Sequence, residues 1–208
     1  MCIRDRAKYA AAVFVTGEPL PFYAEPGYVD IAALPEEFNR FETKEAFWNA
    51  AERRKQEQIA GIVVSVHSGW QTNVLRLVPQ RVVLGIGCRR GTAQETIEAA
   101  VAAVLSAHQL DPSAVKGVYS IDLKQQEAGL LAACAAQDWS AAFYTAEELR
   151  AVAGKFTESP FVQEMTGVGN VCERAAMRGA RSRSFCATAA RYPASSGTVS
   201  YTHLTLPT

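Results

Sequence analysis

The sequence lacks an apolar run long enough to span a membrane, and its N-terminus has no apolar core behind the basic residues, so neither a spanning helix nor a secretory signal is expected. It lacks net charge. Lys+Arg and Asp+Glu are both 21, so overall charge points to no nucleic-acid or membrane partner, and any anion recognition must be local. CxxC spacing is absent: the five cysteines are odd in number and widely scattered, which argues against a disulfide framework and against a zinc or other metal site. The P-loop pattern is missing too. Acidic residues stop at Glu173, beyond which Arg174, Arg178, Arg181, Arg183 and Arg191 lie among serines, threonines and alanines. Without interleaved aromatics and lysines this reads as a disordered or non-native tail over 180–208, not as a nucleic-acid-binding arm. The expected compartment is the cytoplasm.

What is present suits a packed α/β protein, with 49% apolar and 20% charged residues. The organising stretch is Val82-Val83-Leu84-Gly85-Ile86-Gly87-Cys88-Arg89-Arg90-Gly91-Thr92. Its branched apolar run reads as a buried strand, its glycines as a tight strand-to-helix turn, and Thr92 with Glu95 as a capping box. An amide-lined helix start beside two arginines is an anion site. From there strand, helix and turn signals alternate as parallel α/β units do: a helix with Ile97, Ala100, Val101, Val104 and Leu105 inward, a strand at Val115 to Ile121, a helix burying Leu130, Leu131 and Cys134, and a strand at Ala141 to Tyr144. Thr145 with Glu148 forms a second capping box, Ser159-Pro160 starts another helix, and Asn170 caps a last one. Upstream, Ala7 to Val15 reads as a helix, Leu20 to Tyr23, Ile59 to Val66 and Val74 to Val78 as strands, and Ala46 to Gln58 as an exposed helix. The expected organisation is a non-native leader at 1–6, a partial α/β region at 7–79 and a C-terminal α/β domain at 80–179 with a mostly parallel open sheet flanked by helices.

The glycine turn does not match the dinucleotide fingerprint. Its spacing, Gly85-x-Gly87-x-x-x-Gly91, is one residue too long, and Asp122 comes too late to be the ribose acid. A nicotinamide site and a plain packing turn both remain open readings. Cys88, near a helix start and two cations, is a possible nucleophile, but a small packing residue is favoured. Asp122, Lys124 and Glu127 follow a strand's carboxyl end, where open α/β sheets bind ligands, and opposite charges there can supply an acid and a base; an exposed loop with an Asp helix cap is the competing reading. His67, beside Ser68 and Gly69 at another strand end, is most simply a polar loop residue.

Taken together, Gly85 to Thr92, Ser120-Ile121-Asp122-Leu123-Lys124, Thr145 to Leu149 and Thr166-Gly167-Val168-Gly169-Asn170-Val171-Cys172-Glu173 resemble, in order and spacing, the C-terminal domain of the cobalt-precorrin-5A hydrolases, the CbiG-type family of cobalamin biosynthesis. The likeness covers about Arg81 to Met177, and Ala7 to Pro79 look like the rear of that family's central region. The family's N-terminal domain is not in the sequence and its final strand is expected to be replaced by the tail, so a fragment is expected. The resemblance implies opening of a δ-lactone by water with loss of acetaldehyde, on a cobalt-containing tetrapyrrole that brings its own metal, so that the protein needs no cofactor. Other corrin-pathway enzymes are the further partners implied. In that chemistry Asp122 or Glu127 is the expected base, with Lys124 as electrostatic partner and Glu173 in reserve. Gly85, Gly87, Cys88, Arg89, Arg90, Gly91, Gly167, Gly169, Asn170 and Glu173 would bind substrate, the arginines by clamping acetate or propionate groups. A non-catalytic tetrapyrrole-binding or carrier domain is the alternative.

Overall fold

A computed structural model describes residues 3–15, 17–35, 38–70, 73–181, 186–194 and 197–205. The chain divides into two units, 1–79 and 80–207. Both are α/β.

The first unit is built on four parallel strands, β1 (Leu20–Ala24), β2 (Phe38–Phe41), β3 (Gly61–Val64) and β4 (Val74–Leu77), in the order β2-β1-β3-β4. Because side chains alternate along a strand, β1 and β3 feed two cores. Phe22, Ala24, Ile62 and Val64 pack with Ala10 and Val13 of α1 (Ile3–Val15), whereas Tyr23 and Val63 pack with Phe47 and Ala51 of α2 (Lys44–Arg53). The expected exposed helix is therefore α2, shorter than foreseen and firmly seated, since Phe47 is fully buried among Tyr23, Phe41 and Trp70. Helix α1 begins at Ile3, inside the stretch 1–6 where a non-native leader is expected.

The second unit holds β5 (Val82–Cys88), α3 (Gln94–Ala107), β6 (Val115–Ile121), α4 (Ala128–Ala136), β7 (Ser140–Tyr144), α5 (Ala146–Arg150), α6 (Pro160–Thr166) and α7 (Cys172–Arg181). Strands β5, β6 and β7 are parallel and sequential, so both crossovers step the same way, and right-handed connections put α3 and α4 on one face. The five inward residues expected of α3 are all buried. In α4 Leu130 and Cys134 are buried but Leu131 is 39% exposed, and Ala133 takes its place because the helical period turns 131 outward. Helix α7 packs on the other face, with Ala176 and Ala180 on Val83. It lies close because β5 carries Gly85 there: a Cβ would stand 1.9 Å from the Cys172 carbonyl oxygen.

Where an unpaired tail is expected after 180, α7 continues to Arg181 and the backbone then forms a hairpin, β8 (Cys186–Ala194) and β9 (Gly197–Thr205). Strand β9 pairs antiparallel with β5 from Val82↔His203 to Cys88↔Gly197, giving the sheet order β7-β6-β5-β9-β8. The Thr, Val and Tyr residues of β8 and β9 suit a strand. The remainder of that tail lies outside the described residues.

Candidate functional site

The carboxyl ends of β5 and β6 are joined by one side chain. Gly91 has a positive φ of 72°, which closes the turn after β5 and turns its amide toward Glu127. Glu127 Oε1 accepts from the Gly91 N–H at 2.5 Å, and its Oε2 accepts from Lys124 Nζ at 3.1 Å. Burial opposes charge on this carboxyl, whose side chain is 9% exposed, but the Gly91 amide, the Lys124 hydrogen bond and charge, and Arg90 outweigh it and hold the pKa below the ordinary carboxylate value. Glu127 is thus an ionised brace between two loops.

Thr92 does not cap α3. Its hydroxyl donates back to the Arg89 carbonyl at 2.8 Å, the helix starts at Gln94, and the N-cap is Ala93 with no side-chain bond. Beside it, a Cβ on Gly129 would stand 2.0 Å from the Thr92 carbonyl oxygen, so a glycine is what lets the starts of α3 and α4 abut. Arg89 and Arg90 are exposed on this edge, and Gly87 and Cys88 are half-buried beneath it. Burial and the Glu127 charge push the Cys88 thiol up, against the pull of Lys124 and the Thr92 hydroxyl, which leaves it a neutral thiol and a poor nucleophile. Gly85 lies inside the sheet, closed off by α7.

The second glycine turn reaches the same end of the sheet over the α7 face. Val168 and Val171 pack with Ile121, the last residue of β6, and with Leu149. Its polar groups are taken up internally: the Gly167 N–H donates to Gln163 O at 2.9 Å, the Val168 N–H to Thr166 Oγ1 at 3.3 Å, and the Glu173 N–H to Asn170 Oδ1 at 2.9 Å, while Asn170 Nδ2 donates to Thr157 O at 3.0 Å. Gly169 is pressed against the Glu158 carboxylate, and Glu173 is buried. Gly167 closes the C-terminus of α6, and Asn170 caps the first turn of α7.

Asp122 is exposed at the end of β6, its Oδ1 accepting from the Leu123 N–H at 2.8 Å. The structure therefore gathers Cys88, Arg90, Gly91, Lys124 and Glu127 at one edge, with Arg89 and Asp122 exposed on neighbouring turns. Arg174, in sequence only the first of the arginines that follow Glu173, has a structural task. Its guanidinium donates to the carbonyls of Leu149, Arg150 and Val152 at 3.2, 3.4 and 3.1 Å and to Glu158 Oε1 at 2.7 Å, satisfying the otherwise open end of α5. In the first unit, His67 is no simple loop residue: its Nδ1 lies 2.6 Å from Glu25 Oε1. Among the described residues no three His, Cys, Asp or Glu side chains are grouped to hold a metal, and no helix is long and apolar enough to cross a membrane.

The model of the family described as "Cobalamin synthesis G C-terminus" matches residues 82–200, more than half of the chain. The chain belongs to that family. It is 45% identical over 103 residues to a cobalt-precorrin-5A hydrolase of Salmonella typhimurium (strain LT2), covering 49% of this chain and 29% of that protein. It is 36% identical over 99 residues to the Protein CobE of a Sinorhizobium species, covering 47% of this chain and 64% of that one. The chain thus spans less than a third of the curated hydrolase it matches. Among solved structures, that of CobE, a protein from the cobalamin (vitamin B12) biosynthetic pathway, is similar in fold, with a TM-score of 0.58 and 24% identity over 63% of this chain and 95% of that one.

Proposed function

We propose that this chain acts in corrin biosynthesis as a hydrolase of cobalt-precorrin-5A, opening its lactone with loss of acetaldehyde to give cobalt-precorrin-5B. The observation that carries the reading is the cationic edge at the carboxyl ends of β5 and β6, where Arg89 and Arg90 are exposed above the turn braced by Gly91, Lys124 and Glu127. A corrinoid fringed with acetate and propionate groups suits paired arginines, which hold carboxylates through two parallel hydrogen bonds. The likeness to a hydrolase across this edge supports the same reading.

In the reaction the oxygen of water bonds to the lactone carbonyl carbon while a base takes its proton, and the ring C–O bond breaks. The freed alkoxide then collapses to acetaldehyde, and the pair of electrons from the broken C–C bond passes to the macrocycle. Glu127 suits the base role poorly, because a carboxylate held low in pKa by an amide and two cations has little proton affinity. Asp122, exposed at the end of β6 with its Oδ1 accepting from the Leu123 N–H, is the base we assign on this edge. Lys124 serves through Glu127 by fixing the loop. The cobalt arrives with the substrate, and the protein contributes no metal.

One observation favours the carrier alternative. The Glu127–Lys124 pair is closed on itself, which leaves binding groups in excess of proton-transfer groups on this edge. The deciding experiment supplies cobalt-precorrin-5A to the whole chain and follows acetaldehyde with a coupled dehydrogenase and corrinoid binding by its absorption spectrum. Acetaldehyde release supports the hydrolase, binding without release supports the carrier, and absence of both overturns the reading.

A further inference from the structure

Pro19 precedes β1 and Phe38 opens β2, and the register Leu20↔Phe38 sets these two strand starts side by side. The strand order β2-β1-β3-β4 leaves β2 at the edge of the sheet. Here Pro19, Phe38, Asn39 and Arg40 line an open hollow of about 480 Å³. Small molecules are held in clefts of roughly 300–1,000 Å³, so the space suits one.

Arg40 is the charged member of that lining, and its guanidinium is held on one side only. Nη2 donates to the Leu34 carbonyl, whereas Nε is shut off from solvent with no hydrogen-bond partner. Among the described residues no carboxylate is paired with Arg40. A cation that has given up part of its water and has no anion beside it is poorly compensated, and its terminal nitrogens form a rigid fork that matches the two oxygens of a carboxylate. The walls beside it are apolar. The Phe38 ring is set edge-on to Phe22, with ring centres 5.2 Å apart and planes at 80°, and Pro19 adds a second apolar surface. Asn39 is exposed on the same edge, with a side-chain amide able both to donate and to accept. A bare hydrated anion would use the guanidinium and waste the walls, whereas an acid with a flat apolar body uses both.

We propose that the first unit carries a binding site for a small organic carboxylate, in which the outer nitrogens of Arg40 take the carboxylate oxygens and Phe38 and Pro19 take the apolar body. The site is built from residues of the first unit alone. It does not rest on the corrinoid reading and is tested without a corrinoid.

The test titrates benzoate, acetate and inorganic phosphate separately into the whole chain, following the Arg40 Nε–H by nitrogen-15 NMR and the Phe38 ring by carbon-13 NMR. Benzoate is expected to shift both signals and to saturate in the millimolar range, about 10-fold tighter than acetate or phosphate, because only benzoate brings a ring to the apolar walls. Arg40→Lys keeps the charge but loses the fork, and should weaken benzoate about 10-fold. Because the signals are first read in the unmutated protein, the test does not depend on a variant folding. Benzoate that leaves both signals unmoved, acetate or phosphate binding as tightly as benzoate, or Arg40→Lys binding benzoate as tightly as the parent, would overturn the proposal.

Discussion

The two units place opposite kinds of chemistry at the same position of the same sort of sheet. At the edge of the first, a carboxylate is the hub, and hydroxyl, amide and imidazole donors converge on Glu25. At the edge of the second, the carboxylate of Glu127 is a brace, and the groups turned outward are the cations Arg89 and Arg90. The first edge holds an imidazole in place, whereas the second turns guanidiniums toward solvent. The fold is shared, and the residues just beyond the strands decide what each edge can do.

Substitutions can break that contrast. The largest effect is expected at Gly85, where an alanine Cβ would meet the Cys172 backbone, which cannot swing aside: Gly85→Ala should cost about 3 kcal/mol or more in urea unfolding. Next comes the hub. Glu25→Ala strands the Ser65 hydroxyl and the Val66 amide in a partly buried place and should cost about 2–3 kcal/mol. The equivalent cut in the second unit, Glu127→Ala, removes one amide bond and one ion pair, fewer partners than at Glu25, and should cost about 1–2 kcal/mol. Asn170→Ala, which uncaps α7, should cost a similar amount, about 1–2 kcal/mol. Gly169→Ala should be the mildest, under about 1 kcal/mol, because its Cβ would meet the Glu158 side chain, which can move away.

Acid sharpens the comparison. Glu25 and Glu127 both have folded-state pKa values below the unfolded one of ~4.3. Each contribution is therefore complete above that value and is lost as pH falls through the folded pKa. Urea midpoints followed from pH 7 to pH 3 should fall less steeply for Glu25→Gln and Glu127→Gln than for the parent.

Much of this was legible in the sequence where the signal is local. The branched runs at β5 and β6 end in Gly or Asp, the Thr145 and Glu148 side chains do close a capping box, Ser159 and Pro160 do open α6, and Asn170 does cap α7. Thr92 misled because a hydroxyl has two nearby partners, and the Arg89 carbonyl won over the helix amides. Phe38–Phe41 is too short to show a period. The contacts that make the sites escaped for another reason: Glu25 meets His67 across 42 residues and Gly91 meets Glu127 across 36, and no spacing rule reaches that far. Gly129 and Arg174 likewise show their use only once α3 and α5 are in place.

We propose that Arg89 and Arg90 hold a polycarboxylate corrinoid at the edge of the second unit. This is tested most directly by titrating cobalt-precorrin-5A into the parent chain and into the double variant Arg89→Ala, Arg90→Ala, at low and high salt. The account predicts binding at least 10-fold weaker in the double variant, with much of the parent's salt dependence gone and urea stability unchanged. Equal affinity in the two proteins at both salt concentrations would contradict it.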